Sequence, residues 1–259
     1  MDTPQRELEG LTPRQVEKLL GLFEEGTPLR VAQVEEKHFE RLPLLGLVTH
    51  FLKAAQEGIK LTQAGYLPTA LVKELYEAGY VMDVPVSEER KLIKEMDVMV
   101  AHLARTLCEV AELVQIEKSS LKLTEEGKYF LENPAELFEK LLRDYITELS
   151  WSYFDGLPEC DEFQSLAGYL LFLVRKFGRK KMSVEFYYNK FIQIFPEVRE
   201  EFLQQHTEEE LFTIFYVRVF ERFLESFGFV EVSEGKGEAL KRFKITKTDL
   251  FDKMISFEI

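Results

Sequence analysis

The stretch Leu-Lys-Leu-Thr-Glu-Glu-Gly-Lys-Tyr-Phe-Leu, residues 121–131, decides the expected fold of this chain. Leu121 and Leu123 alternate with a polar residue, which predicts a short β-strand. Thr124 follows as a suitable helix N-cap, and Gly127 lets the new helix lie close to its neighbour. The stretch therefore predicts a strand that runs directly into a capped helix.

The residues upstream of this stretch complete a helix and a hairpin. Residues 88–112 predict a long amphipathic helix, because apolar residues recur at intervals of three and four. Residues 113–117 predict a second strand, and residues 118–120 predict a tight turn between the two strands. Helix, strand, turn, strand and capped helix is the order of a winged helix, in which the hairpin is the wing.

The pattern of strand, threonine and new helix occurs twice more in the sequence. Residues 59–67 carry it around Thr62, and residues 229–249 carry it around Thr246, with Asp249 in place of the glycine. Thr62 and Thr124 are 62 residues apart, and Thr124 and Thr246 are 122 residues apart. The second interval is close to twice the first. The sequence therefore predicts repeating units of about 60 residues, with one degenerate copy near position 185.

These motifs resemble two groups of bacterial proteins. Residues 123–127, in which Leu and Thr are followed by two residues and Gly, resemble the end of the wing in many bacterial winged-helix regulators. Residues 61–68, 151–156 and 170–178 together resemble uncharacterised bacterial and plasmid-borne families of helical proteins that contain winged-helix units. This resemblance implies a fold but no catalytic residues.

The expected fold is mainly α (α+β), with winged-helix-like units and small β-hairpin wings around a helical middle region. Residues 1–132 are expected to form an N-terminal helical and winged-helix-like region. Residues 133–259 are expected to form a helical region that ends in a C-terminal winged-helix-like unit. Capping boxes at Thr12 and Thr207 predict helices that begin at the residues directly after them.

The charge of the chain argues against a surface made mainly for nucleic acid. There are 33 Lys and Arg against 46 Asp and Glu, a net charge of −13, whereas phosphate binding depends on basic side chains. Two local groups of basic residues nevertheless favour an alternative, a DNA-binding regulator. The candidate phosphate contacts are Arg175, Lys176, Arg179, Lys180 and Lys181 in a basic loop, and Lys236, Lys241, Arg242 and Lys244 in the C-terminal wing.

The basic loop, residues 175–181, has a second interpretation. Arg175 and Lys176 lie at the carboxyl end of a predicted helix, where cations favour the helix dipole. The acidic run of residues 197–210 could pair with the loop within the fold or in a second copy of the protein. The helices before the predicted wings carry more acidic than basic residues, which favours contact with protein over the reading of base edges.

No motif in the sequence indicates an enzyme. The four histidines lack paired metal-ligand spacing, and neither Cys108 nor Cys160 belongs to a CxxC motif. Asp155 and the acidic residues at 159, 161 and 162 lack EF-hand spacing, so we interpret them as a solvated connector and as helix charges. No metal and no cofactor are expected.

The sequence predicts a cytoplasmic protein without a membrane partner. The longest apolar run, residues 166–174, has nine residues, whereas a bilayer-spanning helix needs about 20. Residues 1–10 hold three acidic residues and no apolar stretch, unlike a secretory signal. The favoured function is a non-enzymatic protein-interaction module that binds another protein or a second copy of itself, with the DNA-binding regulator as the alternative.

Overall fold

The computed structural model describes residues 3–24, 27–81, 94–236 and 239–258. The fold is mainly helical with small antiparallel sheets, which confirms the predicted class. The α-helices are α1 (Pro13–Leu20), α2 (Pro43–Gln56), α3 (Thr69–Glu77), α4 (Met99–Val110), α5 (Glu125–Glu132), α6 (Pro134–Thr147), α7 (Glu162–Ser165), α8 (Ala167–Phe177), α9 (Val184–Ile194), α10 (Pro196–Phe202), α11 (Glu208–Ile214) and α12 (Asp249–Met254).

The remaining elements are one π-helix, four 3-10 helices and eight short strands in the described ranges. The π-helix Phe215–Glu225 continues directly from α11. The 3-10 helices span Glu36–Arg41, Glu95–Asp97, Trp151–Phe154 and Ala239–Arg242. The strands are β1 (Leu29–Val31), β2 (Ile59–Lys60), β3 (Val114–Glu117), β4 (Ser120–Leu123), β5 (Met182–Ser183), β6 (Val230–Glu234), β7 (Phe243–Lys247) and β8 (Ile255–Phe257).

Several helix starts agree with the predictions from the sequence. Both predicted capping boxes are present, so that Thr12 caps α1 and Thr207 caps α11. The long helix predicted for residues 88–112 begins later, as α4 at Met99, after a 3-10 turn. Its predicted first residues, 88–93, lie outside the described part of the chain.

The chain divides into two compact units. The central unit is Gln33–Leu149, and the terminal unit joins Met1–Ala32 to Ser150–Ile259. These bounds differ from the predicted division after residue 132. Helix α6 packs against α2, α4 and α5 and so belongs to the central unit, whereas α1 packs against α8 and β1 pairs with β8 in the terminal unit.

The central unit contains a three-stranded antiparallel sheet in the order β2-β4-β3. Strands β3 and β4 form a hairpin in which Ile116 lies opposite Leu121. On its other side Leu121 lies opposite Ile59 of β2. The sheet therefore joins the hairpin to a short strand that precedes α3 and α4 in the chain.

The terminal unit repeats this arrangement with a sheet in the order β5-β7-β6. Ile245 of β7 lies between Met182 of β5 and Val232 of β6. In both units one helix precedes the short strand, further helices follow it, and a hairpin then completes the sheet. The two units thus share one order of elements.

The sequence repeat is about twice as long as the predicted 60 residues. The residues before α2 and α8, Leu42 and Leu166, are 124 positions apart, and so are the caps of α5 and α12, Thr124 and Thr248. The predicted period is wrong because it joins two strands of one sheet. Ile59 of β2, for example, pairs with a residue of β4 that lies 62 positions later.

Thr124 caps a helix as predicted. Its hydroxyl accepts a hydrogen bond from the backbone N–H of Gly127 at 2.9 Å. A Cβ atom at Gly127 would lie 2.0 Å from the carbonyl oxygen of Leu113. The glycine is therefore needed for the close approach of α5 to the start of the hairpin.

The other two threonines of the pattern do not cap helices. Thr62 closes a turn, because its hydroxyl accepts a hydrogen bond from the backbone N–H of Tyr66 at 3.0 Å. Thr246 lies within β7. Thr248 caps α12 instead, and its hydroxyl accepts from the backbone N–H of Phe251 at 3.2 Å.

The two units have different cores. In the central unit the buried face of α2 is largely aliphatic, with Leu47, Val48 and Leu52 fully buried. The core of the terminal unit contains more aromatic rings, as in the contact of Phe163 with Phe191 and Phe215, whose ring centroids lie 5.3 and 5.2 Å away. One order of elements is thus built around two kinds of side chain.

Candidate interaction surfaces

The basic loop leaves the carboxyl end of α8 and forms ion pairs within the terminal unit. Arg175 contacts Asp252 of α12. The ammonium group of Lys176 lies 3.0 Å from a carboxylate oxygen of Glu9, which also binds Lys190 at 2.5 Å. Both loop residues lie in the last turn of α8, as expected for cations near a helix carboxyl end.

Asp252 is the centre of a second group of charges beside the basic loop. Its carboxylate binds the ammonium group of Lys247 at 2.6 Å, in addition to Arg175. The Nε atom of Arg179 lies 3.9 Å away, and its side chain is 81% exposed. Burial alone would raise the pKa of Asp252, but Lys247 and Arg175 lower it below its ordinary value. Asp252 thus adds a negative charge beside the loop.

The basic residues of the C-terminal wing are also interleaved with carboxylates. Lys241 lies 2.9 Å from Glu185 of α9, and Arg242 lies 2.9 Å from Glu234 of β6. Lys244 belongs to β7. The wing therefore does not present an uninterrupted row of cations to a phosphate backbone.

The structure brings the end of the basic loop beside the wing, because β5 pairs with β7. Ser183, two residues after the loop, lies opposite Lys244. Within the described ranges, Lys180, Lys181 and Lys236 are exposed and make no ion pair. Three of the nine predicted contacts are thus exposed lysines without a carboxylate partner among the described residues.

The helices that precede the hairpins are buried in both units. We call α4, and α11 with its π-helix, the pre-hairpin helices. Each has a single exposed residue, Glu109 in α4 and Glu209 in the first turn of α11. A helix that reads base edges must insert its side chains into the major groove, which buried side chains cannot do.

Arg218 of the terminal pre-hairpin helix points into the protein. Its guanidinium donates to both carboxylate oxygens of Asp155 at 2.8 and 2.9 Å, and to the carbonyl oxygen of Pro158 at 2.9 Å. The side chains of Arg218 and Asp155 are 0% and 3% exposed. The interpretation of Asp155 as part of a solvated connector is therefore wrong, because Arg218 holds this connector against the helix.

Arg105 has a similar place in the central pre-hairpin helix. Its guanidinium donates to Glu95 at 3.1 Å and to the carbonyl oxygen of Gly65 at 2.8 Å. Glu95 also accepts from the backbone N–H of Leu67 at 2.6 Å and lies 3.3 Å from His102. Burial would raise the pKa of Glu95, but these hydrogen bonds and the charge of Arg105 lower it.

A cleft of about 490 Å³ opens in the terminal unit between α9, α11 and the 3-10 helix Ala239–Arg242. Two aromatic rings line it, Tyr188 and Phe212, which meet edge to face with centroids 5.2 Å apart. The carboxylates of Glu185, Glu208 and Glu209 and the ammonium group of Lys241 complete the charged part of its lining. These four lining groups carry a net charge of −2, and Arg199, outside the lining, pairs with Glu208 at 2.6 Å.

Only indirect signs of these features are visible in the sequence. Glu208 and Glu209 belong to the acidic run that was expected to pair with basic residues, but Tyr188 had the same pattern as a core aromatic. Arg218 stood among acidic residues on a predicted helix, and its inward direction follows only from the packing of that helix. The cleft residues come from three separate elements, which no spacing rule connects.

The described ranges contain no disulfide and no candidate metal site. Cys108 and Cys160 are free and buried. Among the residues that the structure describes, no group of three His, Cys, Asp or Glu side chains is placed to hold a metal ion. No helix in these ranges is long and apolar enough to cross a membrane. Comparison with protein-family models, curated proteins and solved structures finds no match to the chain.

Proposed function

We propose that this chain is a non-enzymatic, cytoplasmic protein-interaction module built from two winged-helix-like units in tandem. The strand orders β2-β4-β3 and β5-β7-β6 support the winged-helix interpretation, because in each sheet the hairpin pairs with a short strand from before the intervening helices. The capped helix after each hairpin, begun by Thr124 or Thr248, is a further point of agreement.

The burial of both pre-hairpin helices is the observation that carries this proposal. In a DNA-reading winged helix this element enters the major groove, and its basic or amide side chains contact base edges. Here Arg105 and Arg218 bind buried carboxylates instead, and the third arginine of these helices, Arg222, lies 3.8 Å from the same Asp155. The surfaces left for a partner are the hairpins, the loops, the outer helices and the side of α11 that faces α9.

The competing function, a DNA-binding regulator, rests on the exposed cations beside the C-terminal wing. Arg179, Lys180 and Lys181 are exposed, and β5 joins their loop to the sheet of the wing. Carboxylates pair with the neighbouring cations: Asp252 lies near Arg179, Glu234 binds Arg242 and Glu185 binds Lys241. Since phosphate binding rests on uncompensated positive charge, this arrangement favours the protein-interaction module.

Fluorescence anisotropy of the full chain with a labelled random-sequence duplex tests the proposal. We expect no saturable binding even at about 50 mM salt, where phosphate contacts are strongest. A variant with Arg179→Glu, Lys180→Glu and Lys181→Glu is compared with a control, Lys53→Glu, Lys60→Glu and Lys73→Glu, which makes the same charge change on exposed lysines of the central unit.

Two outcomes decide between the functions. A stoichiometric complex with one protein, purified and measured by light scattering, would support the interaction module. Duplex binding that weakens steeply between about 50 and 200 mM salt, and that is lost in the loop variant but not in the control, would overturn it in favour of the regulator.

A further inference from the structure

We propose that the cleft between α9 and α11 binds an arginine side chain from a basic segment of the partner protein. This inference rests on the proposed function and names the partner chemistry for one surface of the module. Its evidence is the combination of an open cavity, an aromatic lining and an excess of negative charge in the same place.

The aromatic part of the lining suits a flat cation. The rings of Tyr188 and Phe212 are nearly perpendicular, at 87°, so the edge of one meets the face of the other. A guanidinium group stacks on aromatic faces. It is also more weakly hydrated than an ammonium group, so it loses less hydration free energy on entering such a cleft. This geometry favours arginine over lysine.

The charged part of the lining already binds cations of the chain itself. Glu208 accepts a hydrogen bond from the Nε atom of Arg199 at 2.6 Å, and its other oxygen accepts from the hydroxyl of Tyr188 at 2.5 Å. Lys241 lies 2.9 Å from Glu185 on the other side. These pairs show that the carboxylates are held in place and are oriented to receive N–H donors.

Glu209 is the carboxylate left for an incoming cation. It is exposed and makes no ion pair within the described ranges. Arg199 pairs with Glu208 and Lys241 pairs with Glu185, so the charge of Glu209 is the negative charge of the cleft that a further cation can neutralise. A planar guanidinium can donate two parallel hydrogen bonds to one carboxylate, so Glu209 can bind it while the aromatic rings contact its face.

The edge of the cleft is exposed, so the cleft can receive one side chain of a longer protein segment. Asn189, Glu209 and Lys241 are all exposed at the edge of the cleft. A polypeptide can therefore continue on either side while one side chain enters. The basic loop of a second copy, in which Arg179 is 81% exposed, is one possible source of that side chain and forms an outcome of the test.

The test is an NMR titration of the full ¹⁵N-labelled chain with N-acetyl-arginine amide. We expect saturable shifts at the amides of Asn189 and Thr213, which line the cleft. The double variant Glu185→Gln and Glu209→Gln should weaken binding by about tenfold, as expected from the loss of charge-assisted hydrogen bonds. Unchanged amide shifts in the terminal unit away from the cleft, such as those of α8 and α12, show that this variant is folded.

A matched control has the same charge change outside the cleft. Glu200→Gln with Glu201→Gln alters two exposed carboxylates of α10 in the same unit. We expect this control to bind the probe like the parent chain. The uncharged analogue N-acetyl-citrulline amide, which has a similar shape, should cause no shifts at the cleft.

Four results would overturn the proposal. They are the absence of saturable shifts, equal weakening in the control variant, equal binding of N-acetyl-lysine amide, and tighter binding of a small diamine such as putrescine. Concentration-dependent dimerisation that is lost on Arg179→Glu would assign the cleft to a second copy instead. Duplex binding is measured separately, so failure of the cleft is distinguishable from failure of the proposed function.

Discussion

The central and terminal units share one order of elements but hold it together differently. In the central unit Arg105 ties the pre-hairpin helix to Glu95 and keeps 13% of its side chain exposed. In the terminal unit Arg218 ties the equivalent helix to Asp155 with no exposure of its side chain. The carboxylates come from different places, a 3-10 turn next to α4 and a connector about 60 residues before the π-helix.

The two units also differ in the side chains that fill their cores. Aliphatic side chains fill the central unit around α2, whereas rings such as Phe163, Phe191 and Phe215 fill the terminal unit. Cores tolerate such changes when their volume and the polar and apolar pattern are kept. The common features are therefore the strand pairing, the caps and the inward arginine, and not the identity of the core side chains.

The largest expected effect comes from the buried arginine of the terminal unit. Arg218→Met should lower the free energy of unfolding by about 3–5 kcal/mol, because it removes the two hydrogen bonds of the buried ion pair with Asp155 and leaves that carboxylate only the N–H of Leu157 and the more distant Arg222. Arg105→Met should cost less, about 1–3 kcal/mol, because the Arg105 side chain is 13% exposed, whereas that of Arg218 is fully buried. Denaturant unfolding monitored by circular dichroism gives both values.

Removing both partners sharpens this comparison. The double variant Arg218→Met with Asp155→Asn should recover part of the loss, because no unpaired charge is then buried. If Arg105→Met is as unstable as Arg218→Met, the two arginines contribute equally to stability. That result would contradict the predicted difference between the units.

A close backbone contact in each unit gives the next effect. Gly127→Ala and Gly168→Ala should each destabilise the protein by about 1–3 kcal/mol. A Cβ atom would lie 2.0 Å from the carbonyl oxygen of Leu113 in the first case and 1.8 Å from that of Leu19 in the second. Helix propensity alone predicts the opposite sign, a gain of about 1 kcal/mol.

The sign of the change therefore decides this prediction. Glu132→Ala, at an exposed position of α5, serves as a control for the effect of alanine in the same helix and should change stability little. Stabilisation by Gly127→Ala in the same unfolding experiment would contradict the close approach of α5 to the hairpin.

The smallest effect tests the length of the repeat. Thr124→Val and Thr248→Val should each cost about 1 kcal/mol, because valine keeps the shape of threonine but cannot cap a helix. Thr246→Val should change stability by less than about 0.5 kcal/mol, because valine is a good strand residue and Thr246 lies within β7. Thermal or denaturant unfolding of the three variants compares them directly.

These three variants separate the two possible repeats. Equal losses at Thr124 and Thr248 agree with a spacing of 124 residues, in which both threonines cap the helix after a hairpin. A large loss of stability in Thr246→Val, with none in Thr248→Val, would instead support the repeat positions predicted from the sequence.

Local features of the fold could be predicted from the sequence because their signals are local. The capping boxes at Thr12 and Thr207 and the cap at Thr124 depend on residues three positions apart, so their spacing is visible in the sequence. The hairpin of β3 and β4 was indicated by alternating residues around a turn. The spacing of about 60 residues was also visible, but its meaning depended on which strands pair.

The candidate site could be predicted only in part. The cations at the end of α8 were identified from their sequence, yet their partners Glu9 and Asp252 are distant along the chain. The cleft needed α9, α11 and the 3-10 helix before β7 to meet. Contacts between such distant elements depend on tertiary packing, which the hydrophobic periodicity of the sequence does not specify.

The sequence by itself determined the helical class, the caps and the positions of the hairpins, because hydrogen bonding and side-chain periodicity act over a few residues. Only the tertiary structure decided the 124-residue repeat, the inward direction of Arg218 and the charge pairing of the basic loop. Each of these depends on contacts between residues far apart in sequence, such as Arg218 with Asp155. A buried ion pair forms only where packing brings both charges out of water together.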